Sequence, residues 1–131
     1  MDKHRQYMER CLELAKKAAE AGESAVGSII VKEDRIIGEG YEMSRQLRDI
    51  TRHAEMMAIL DALKHTRDIS GAVLYSNVEP CILCAYAIRH YKIAEVVYCR
   101  PAGELGGTGI LTAQFNAWGV PPAVRRLDEL C

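Results

Sequence analysis

The sequence predicts an α/β domain built on a mixed sheet, and three stretches carry that prediction. Two strand-like runs, residues 26–31 and 36–41, flank the short polar connection Lys32-Glu33-Asp34-Arg35, which implies an antiparallel hairpin. Between residues 72 and 99, a strand, a helix and a second strand follow at the spacing of a crossover unit, which implies a parallel pair. An amphipathic helix precedes both.

That first helix is read over residues 2–21. Met8, Cys11, Leu12, Ala15, Ala18 and Ala19 recur at steps of three and four, and Gly22 is the stop. Cys11 lies on this apolar face and is read as a core residue. After the hairpin, residues 42–51 form a polar loop. Thr51 is the expected N-cap of a helix over residues 52–64, with Met56, Met57, Leu60 and Leu63 on its apolar side. Ala72-Val73-Leu74-Tyr75 is a short apolar strand. Glu79 and Pro80 are expected to open a third helix that ends at Lys92-Ile93, because proline is tolerated in a first helical turn. Residues 94–99 are the next strand, 103–109 a glycine-rich loop, and 110–118 a last helix. The tail from Val120 to Leu127 stays ambiguous, since Pro121 and Pro122 disfavour a central strand.

The bulk numbers narrow the function classes. At 131 residues, 49% hydrophobic and 27% charged, the chain is expected to fold as one domain, 1–131. No stretch approaches the length of a membrane span, and residues 1–6 lack a signal peptide's apolar core, so no membrane partner and a cytoplasmic location are expected. A net charge of −1 argues against a protein that lives on nucleic acid. The odd cysteine count of five, unevenly spaced, is not the pattern of a secreted disulfide framework.

The chemistry concentrates in two short stretches, His53-Ala54-Glu55 and Pro80-Cys81-Ile82-Leu83-Cys84. One imidazole and two thiolates suit Zn²⁺, and three protein ligands leave the open position that a catalytic zinc needs. On helices, Cys81 and Cys84 share one face, in a first turn whose dipole favours thiolates. Glu55 is close enough to His53 to serve a water without being a ligand, and the joint pattern is the signature of zinc deaminases. The expected cofactor is Zn²⁺, with His53, Cys81 and Cys84 as ligands and Glu55 as the proton carrier. The expected reaction is zinc-hydroxide attack on a cyclic amidine with release of ammonia. Two other readings stand beside it. A redox C-x-x-C gives His53 and Glu55 no role. A closed structural zinc site needs a fourth ligand, for which Cys99, His90 and His65 are available.

These motifs resemble the cytidine deaminase-like superfamily, the CMP/dCMP-type zinc-binding deaminases. The resemblance runs from about residue 3 to residue 110 and includes Val26-Gly27-Ser28-Ile29-Ile30-Val31, Thr51-Arg52-His53-Ala54-Glu55-Met56 and Leu74-Tyr75-Ser76-Asn77-Val78-Glu79-Pro80-Cys81. The nearest branch holds tRNA adenosine deaminases, guanine deaminase and yeast-type cytosine deaminase. The resemblance implies a three-layer α/β/α sandwich around a mixed five-stranded sheet, and a homodimer packed through the ligand-bearing helices. It also implies that the Gly27 strand and the backbone at Ala54 shape the pocket.

Three departures bear on substrate. Relatives usually carry Asn two residues after the glycine that ends the second strand; here Gly40 keeps its spacing to His53, but the position holds Glu42. A carboxylate only accepts hydrogen bonds where an amide both donates and accepts, so Glu42 is either a reader of substrate donors or a solvated loop charge. Asp49-Ile50-Thr51-Arg52 stands where relatives often have Asp-Pro-Thr-Ala. The tail lacks the longer basic helix of many tRNA deaminases and offers only Arg125-Arg126. Phe115 and Trp118, the only Phe and Trp, are candidates for a lid over substrate or for core packing of a terminal helix. The expectation drawn from these is a small amino-substituted heterocycle as substrate, a free nucleobase, nucleoside or analogue. A tRNA-specific adenosine deaminase and a non-catalytic zinc domain are the alternatives.

Overall fold

A computed structural model describes residues 2–131. Helix α1 (Asp2–Glu20) leads into strands β1 (Gly27–Lys32) and β2 (Arg35–Tyr41), then helix α2 (Ala54–Leu63) and strand β3 (Val73–Val78). Helix α3 (Ile82–His90), strand β4 (Glu95–Arg100), a short helix α4 (Thr108–Thr112) and strand β5 (Ala123–Arg126) complete the order. The five strands form one sheet in the order β2-β1-β3-β4-β5. β1 pairs antiparallel with β2 and β3, while β3, β4 and β5 run parallel, as the hairpin and the crossover require.

Both faces of the sheet are covered, and strand alternation sorts the apolar residues between them. Ile30, Leu74 and Val96 face α2, α3 and α4, meeting Ala58, Ile59, Ala85, Ile88 and Leu111. Their neighbours Ile29, Tyr75 and Val97 face the other way, against Met8, Cys11 and Leu14 of α1. This is the expected three-layer arrangement, and Cys11 is a core residue of it, fully buried.

Local chemistry explains where elements end. α1 stops at Gly22, whose φ of +84° closes a Schellman motif: the Gly22 N–H reaches Ala19 O and the Glu23 N–H reaches Ala18 O, both at 3.0 Å. The hairpin connection is tighter than the polar run suggests. Only Glu33 and Asp34 lie outside the strands, and both have positive φ, the geometry of a two-residue primed turn.

Four expectations need correction. α2 begins at Ala54, not residue 52, with His53 as its N-cap; Asp49 Oδ1 accepts both the N–H and the hydroxyl of Thr51 and removes it from capping. α3 runs only from Ile82 to His90, with Cys81 as N-cap. Residues 110–118 are not one helix: the buried Arg89 donates from Nη1 to the carbonyls of Ile110, Leu111 and Ala113, and Ala113 turns extended. Cys99 is not a lone apolar thiol. It forms a disulfide with Cys131, with Cα atoms 5.8 Å apart, and so ties the last turn to the end of β4. The ambiguous tail resolves as β5, an edge strand that Pro121 and Pro122 precede and do not interrupt. Among the described residues, no helix is long and apolar enough to cross a membrane.

Candidate active site

His53 and Cys81 occupy equivalent places, each the N-cap of a helix that packs on the same side of the sheet. Both have extended backbone, and neither side chain caps its own helix. The ligand atoms are therefore free to converge. Cys84 follows three residues after Cys81 and points from the same face of α3. His53 Nδ1 lies 3.3 Å from Cys81 Sγ and 3.6 Å from Cys84 Sγ, and all three ligand atoms lie within 4.8 Å of one another. A tetrahedral zinc with sulfur at about 2.3 Å and nitrogen at about 2.0 Å holds such ligands about 3.5 Å apart, so the set fits the metal.

The three groups already share protons unequally. Cys81 is held down at about 4, first by the hydrogen bond from Cys84 and then, against its burial, by His53. The same pairing with Cys81 raises His53 to about 9, and hydrogen bonding to Cys81 together with burial pushes the Cys84 thiol far up. A thiolate at Cys81 next to an imidazolium is the arrangement that a divalent cation displaces.

Glu55 lies in the first turn of α2 and is only 4% exposed. Ser76 Oγ donates to its Oε2 at 3.4 Å, and Cys84 Sγ approaches Oε1 at 3.8 Å. Burial pushes this carboxyl up to about 7, with the Cys81 charge adding to the effect and its own backbone N–H opposing it. A carboxyl poised near neutrality beside a metal site can both take and return a proton.

The other sequence-singled residues divide by location. Glu42 is not a solvated loop charge: it is 9% exposed, accepts from Ser44 Oγ at 2.5 Å, and lies near enough for its charge to act on His53 and Glu55. Ala54, the first residue of α2, is fully buried. Gly27 presents its Cα to α1, where a side chain would run into Cys11 O, Leu14 Cβ and Ala15 N, while its N–H donates to Asn77 Oδ1 at 2.8 Å. Phe115 and Trp118 pack edge to face on each other, and Trp118 also meets Tyr86 and the Arg89 guanidinium of α3. Of the proposed fourth ligands, Cys99 is in its disulfide, and His90 stacks on Tyr86 and meets Tyr91 edge to face. His65 lines a cleft with Lys32 and Arg35. Among the described residues, the only cluster with metal-ligand spacing is His53, Cys81 and Cys84.

Three supporting residues escaped the sequence reading. Asn77 is buried and bridges Gly27 N–H and Ala25 O; an Asn inside an apolar strand was the available signal. Glu79 accepts from Ala102 N–H and from both the N–H and the hydroxyl of Thr108, which holds the glycine-rich loop on Pro80 and Cys81, where Gly107 N–H donates to Pro80 O at 2.7 Å. Glu23 accepts from Arg45 and Gln46 N–H and anchors the loop before α2. Neither pairing has a sequence signature, because each joins residues more than twenty apart.

Residues 1–100 match the family described as the cytidine and deoxycytidylate deaminase zinc-binding region. A tRNA-specific adenosine deaminase of Aquifex aeolicus (strain VF5) is 40% identical over 123 residues, covering 92% of this chain and 80% of its own. The tRNA-specific adenosine deaminase 2 of Xenopus tropicalis is 38% identical over 111 residues, covering 79% of this chain and 65% of its own. A chain solved in structural studies of A-to-I editing by tRNA:A34 deaminases at the wobble position superposes with a TM-score of 0.83 at 30% identity, over 93% of this chain and 97% of that one. These relatives overturn the expectation of a free nucleobase or similar small heterocycle. That expectation rested on Glu42 at the usual Asn position, on the short tail with Phe115 and Trp118, and on the lack of basic surface. Net charge sums the whole surface, whereas phosphate contacts need only a few local cations, so a net charge near zero does not exclude a nucleic-acid substrate. With the ligand geometry, the buried Glu55 carboxyl beside it and the matched region in agreement, the chain belongs to the cytidine and deoxycytidylate deaminase zinc-binding family and is a zinc-dependent hydrolase of C–N bonds.

Proposed function

We propose that this chain, as a single deaminase domain over residues 1–131, converts adenosine to inosine in a tRNA anticodon. The observation that carries the reading is the 40% identity, over 92% of the chain, to a tRNA-specific adenosine deaminase. His53, Cys81 and Cys84 would hold the zinc, which when bound supplies an activated water as the nucleophile. Glu55 takes the proton from that water and delivers it to a ring nitrogen of the base. It then takes the remaining proton of the hydroxyl added to the ring carbon and passes it to the amine, so that the C–N bond breaks, a carbonyl forms and the nitrogen leaves as ammonia. Ser76 keeps the Glu55 carboxyl aimed, and the sheet behind it keeps bulk water out. In this reading the backbone N–H of Ala54, the first residue of α2, steadies the base.

Two further parts of the reading are homodimerisation and a cytoplasmic location, where tRNA is met. Ile82, Leu83 and Tyr86 of α3 are exposed, a stripe suited to a second copy packed through the ligand-bearing helices; light scattering on the zinc-loaded chain tests it.

The activity is tested with an anticodon stem-loop carrying adenosine at the wobble position, beside free adenine, adenosine and cytosine. Inosine in the stem-loop, with free compounds turned over at least a hundredfold less efficiently, is the expected result. Turnover of the free compounds alone would overturn the reading.

A further inference from the structure

Glu42 sits at a place the strand geometry defines. Alternate residues of β2 face α2: a side chain at Gly38 would run into Ala58 and Ala62, and one at Gly40 into Ala54, Met57 and Ala58. Each step of two along β2 thus climbs about one turn toward the N-terminus of α2. Glu42 is the next position on that side, and the Glu42 N–H, donating to Val26 O at 3.1 Å, carries the strand pairing one residue further. This brings its carboxylate to the end of α2 that His53 caps. Ser44 Oγ donates to Oε2 at 2.5 Å, and Glu23 fixes the residues that follow through Arg45 and Gln46 N–H. No donor among the described residues meets Oε1. One oxygen is held and the other is left for substrate.

A carboxylate needs a donor. An adenosine inside an RNA strand offers hydrogens in two places, the exocyclic amine and the ribose 2′-hydroxyl; its ring nitrogens only accept and would be repelled. The amine departs in the reaction and is served by Glu55. We propose that Glu42 Oε1 accepts the 2′-hydroxyl of the target adenosine, which makes this chain select ribose over deoxyribose at the reacting nucleotide. The inference rests on the adenosine-in-tRNA reading above. Ser44 is a positioning residue in it.

The test compares two stem-loops that differ only in a 2′-deoxy substitution at the target adenosine, on wild type and on Glu42→Ala, with zinc content and melting temperature measured in parallel. Wild type is expected to lose about tenfold or more in kcat/KM on the deoxy substrate, the size of a lost hydrogen bond to a charged group. Glu42→Ala is expected to be slowed comparably on the ribose substrate, with less than threefold further loss on the deoxy one. Wild type indifferent to the substitution, or Glu42→Ala still discriminating tenfold, overturns the proposal. Should Glu42→Ala misfold, Glu42→Met decides, because it fills the same space with no strong acceptor: a narrowed ratio supports the contact and an unchanged one refutes it. Inosine from neither stem-loop would overturn the adenosine reading and this proposal with it, whereas inosine from both at equal rates overturns this proposal alone.

Discussion

Glu55→Gln is expected to lower kcat on the anticodon stem-loop by about a thousandfold, since general acid–base catalysis by one positioned group is worth roughly 10²–10⁴. Gln keeps the shape of the carboxyl and can still accept from Ser76 Oγ, so folding and substrate binding should hold. KM should move by less than about threefold, because the lost function is proton transfer in the transition state and not binding. Zinc per chain, measured by mass spectrometry of metals, should stay at that of wild type, because Glu55 is not among the ligand atoms. A variant that keeps a tenth of wild-type kcat would remove Glu55 from the reaction. A variant that loses zinc would show that its carboxyl holds the metal.

The second large effect is the pH dependence of zinc binding. With no metal bound, Cys81 titrates at about 4, His53 at about 9, and Cys84 well above its ordinary value. Ligation needs two thiolates and a neutral imidazole. Between pH 5 and 8, Cys81 has already lost its proton, while His53 and Cys84 each still have one to lose. Zinc binding therefore releases two protons, and each unit of acidification should weaken the apparent affinity by about a hundredfold. The sign follows from mass action, because protons compete for two of the three ligands. Competition against a chelator of known affinity at several pH values measures the slope. Tenfold per unit would mean that only one ligand exchanges a proton, and a flat profile would mean that the triad is already in its ligating state. Cys84→Ser, which replaces the thiol that approaches Glu55 at 3.8 Å, should abolish stoichiometric zinc and deamination together.

How much of this was readable in the chain follows from the range of each interaction. His53, Glu55, Cys81 and Cys84 were legible because their chemistry is in their side chains and their pairing is in short spacings. The hairpin and the crossover were legible because strand alternation and turn residues are local. Helix starts were misplaced by two residues because Thr51 and Pro80 look like starts, while the true caps are the ligands themselves. The helix expected over residues 110–118 failed because Arg89, from another element, takes the carbonyls that such a helix would use. The Cys99–Cys131 pair was invisible because spacing along a chain does not report proximity across a fold.

Substrate was the hardest reading, and the physical reason is the same. The sequence by itself determined the metal, the carboxyl that stands beside its ligands and the class of bond broken, since these depend on which groups exist and how closely they are spaced. It could not say whether Glu42 was a solvated charge or a buried acceptor, because that depends on β2 climbing α2 to the end capped by His53 and on Ser44 holding one carboxylate oxygen. Only the tertiary structure decided that, by burying a charge that a loop would otherwise have left in water.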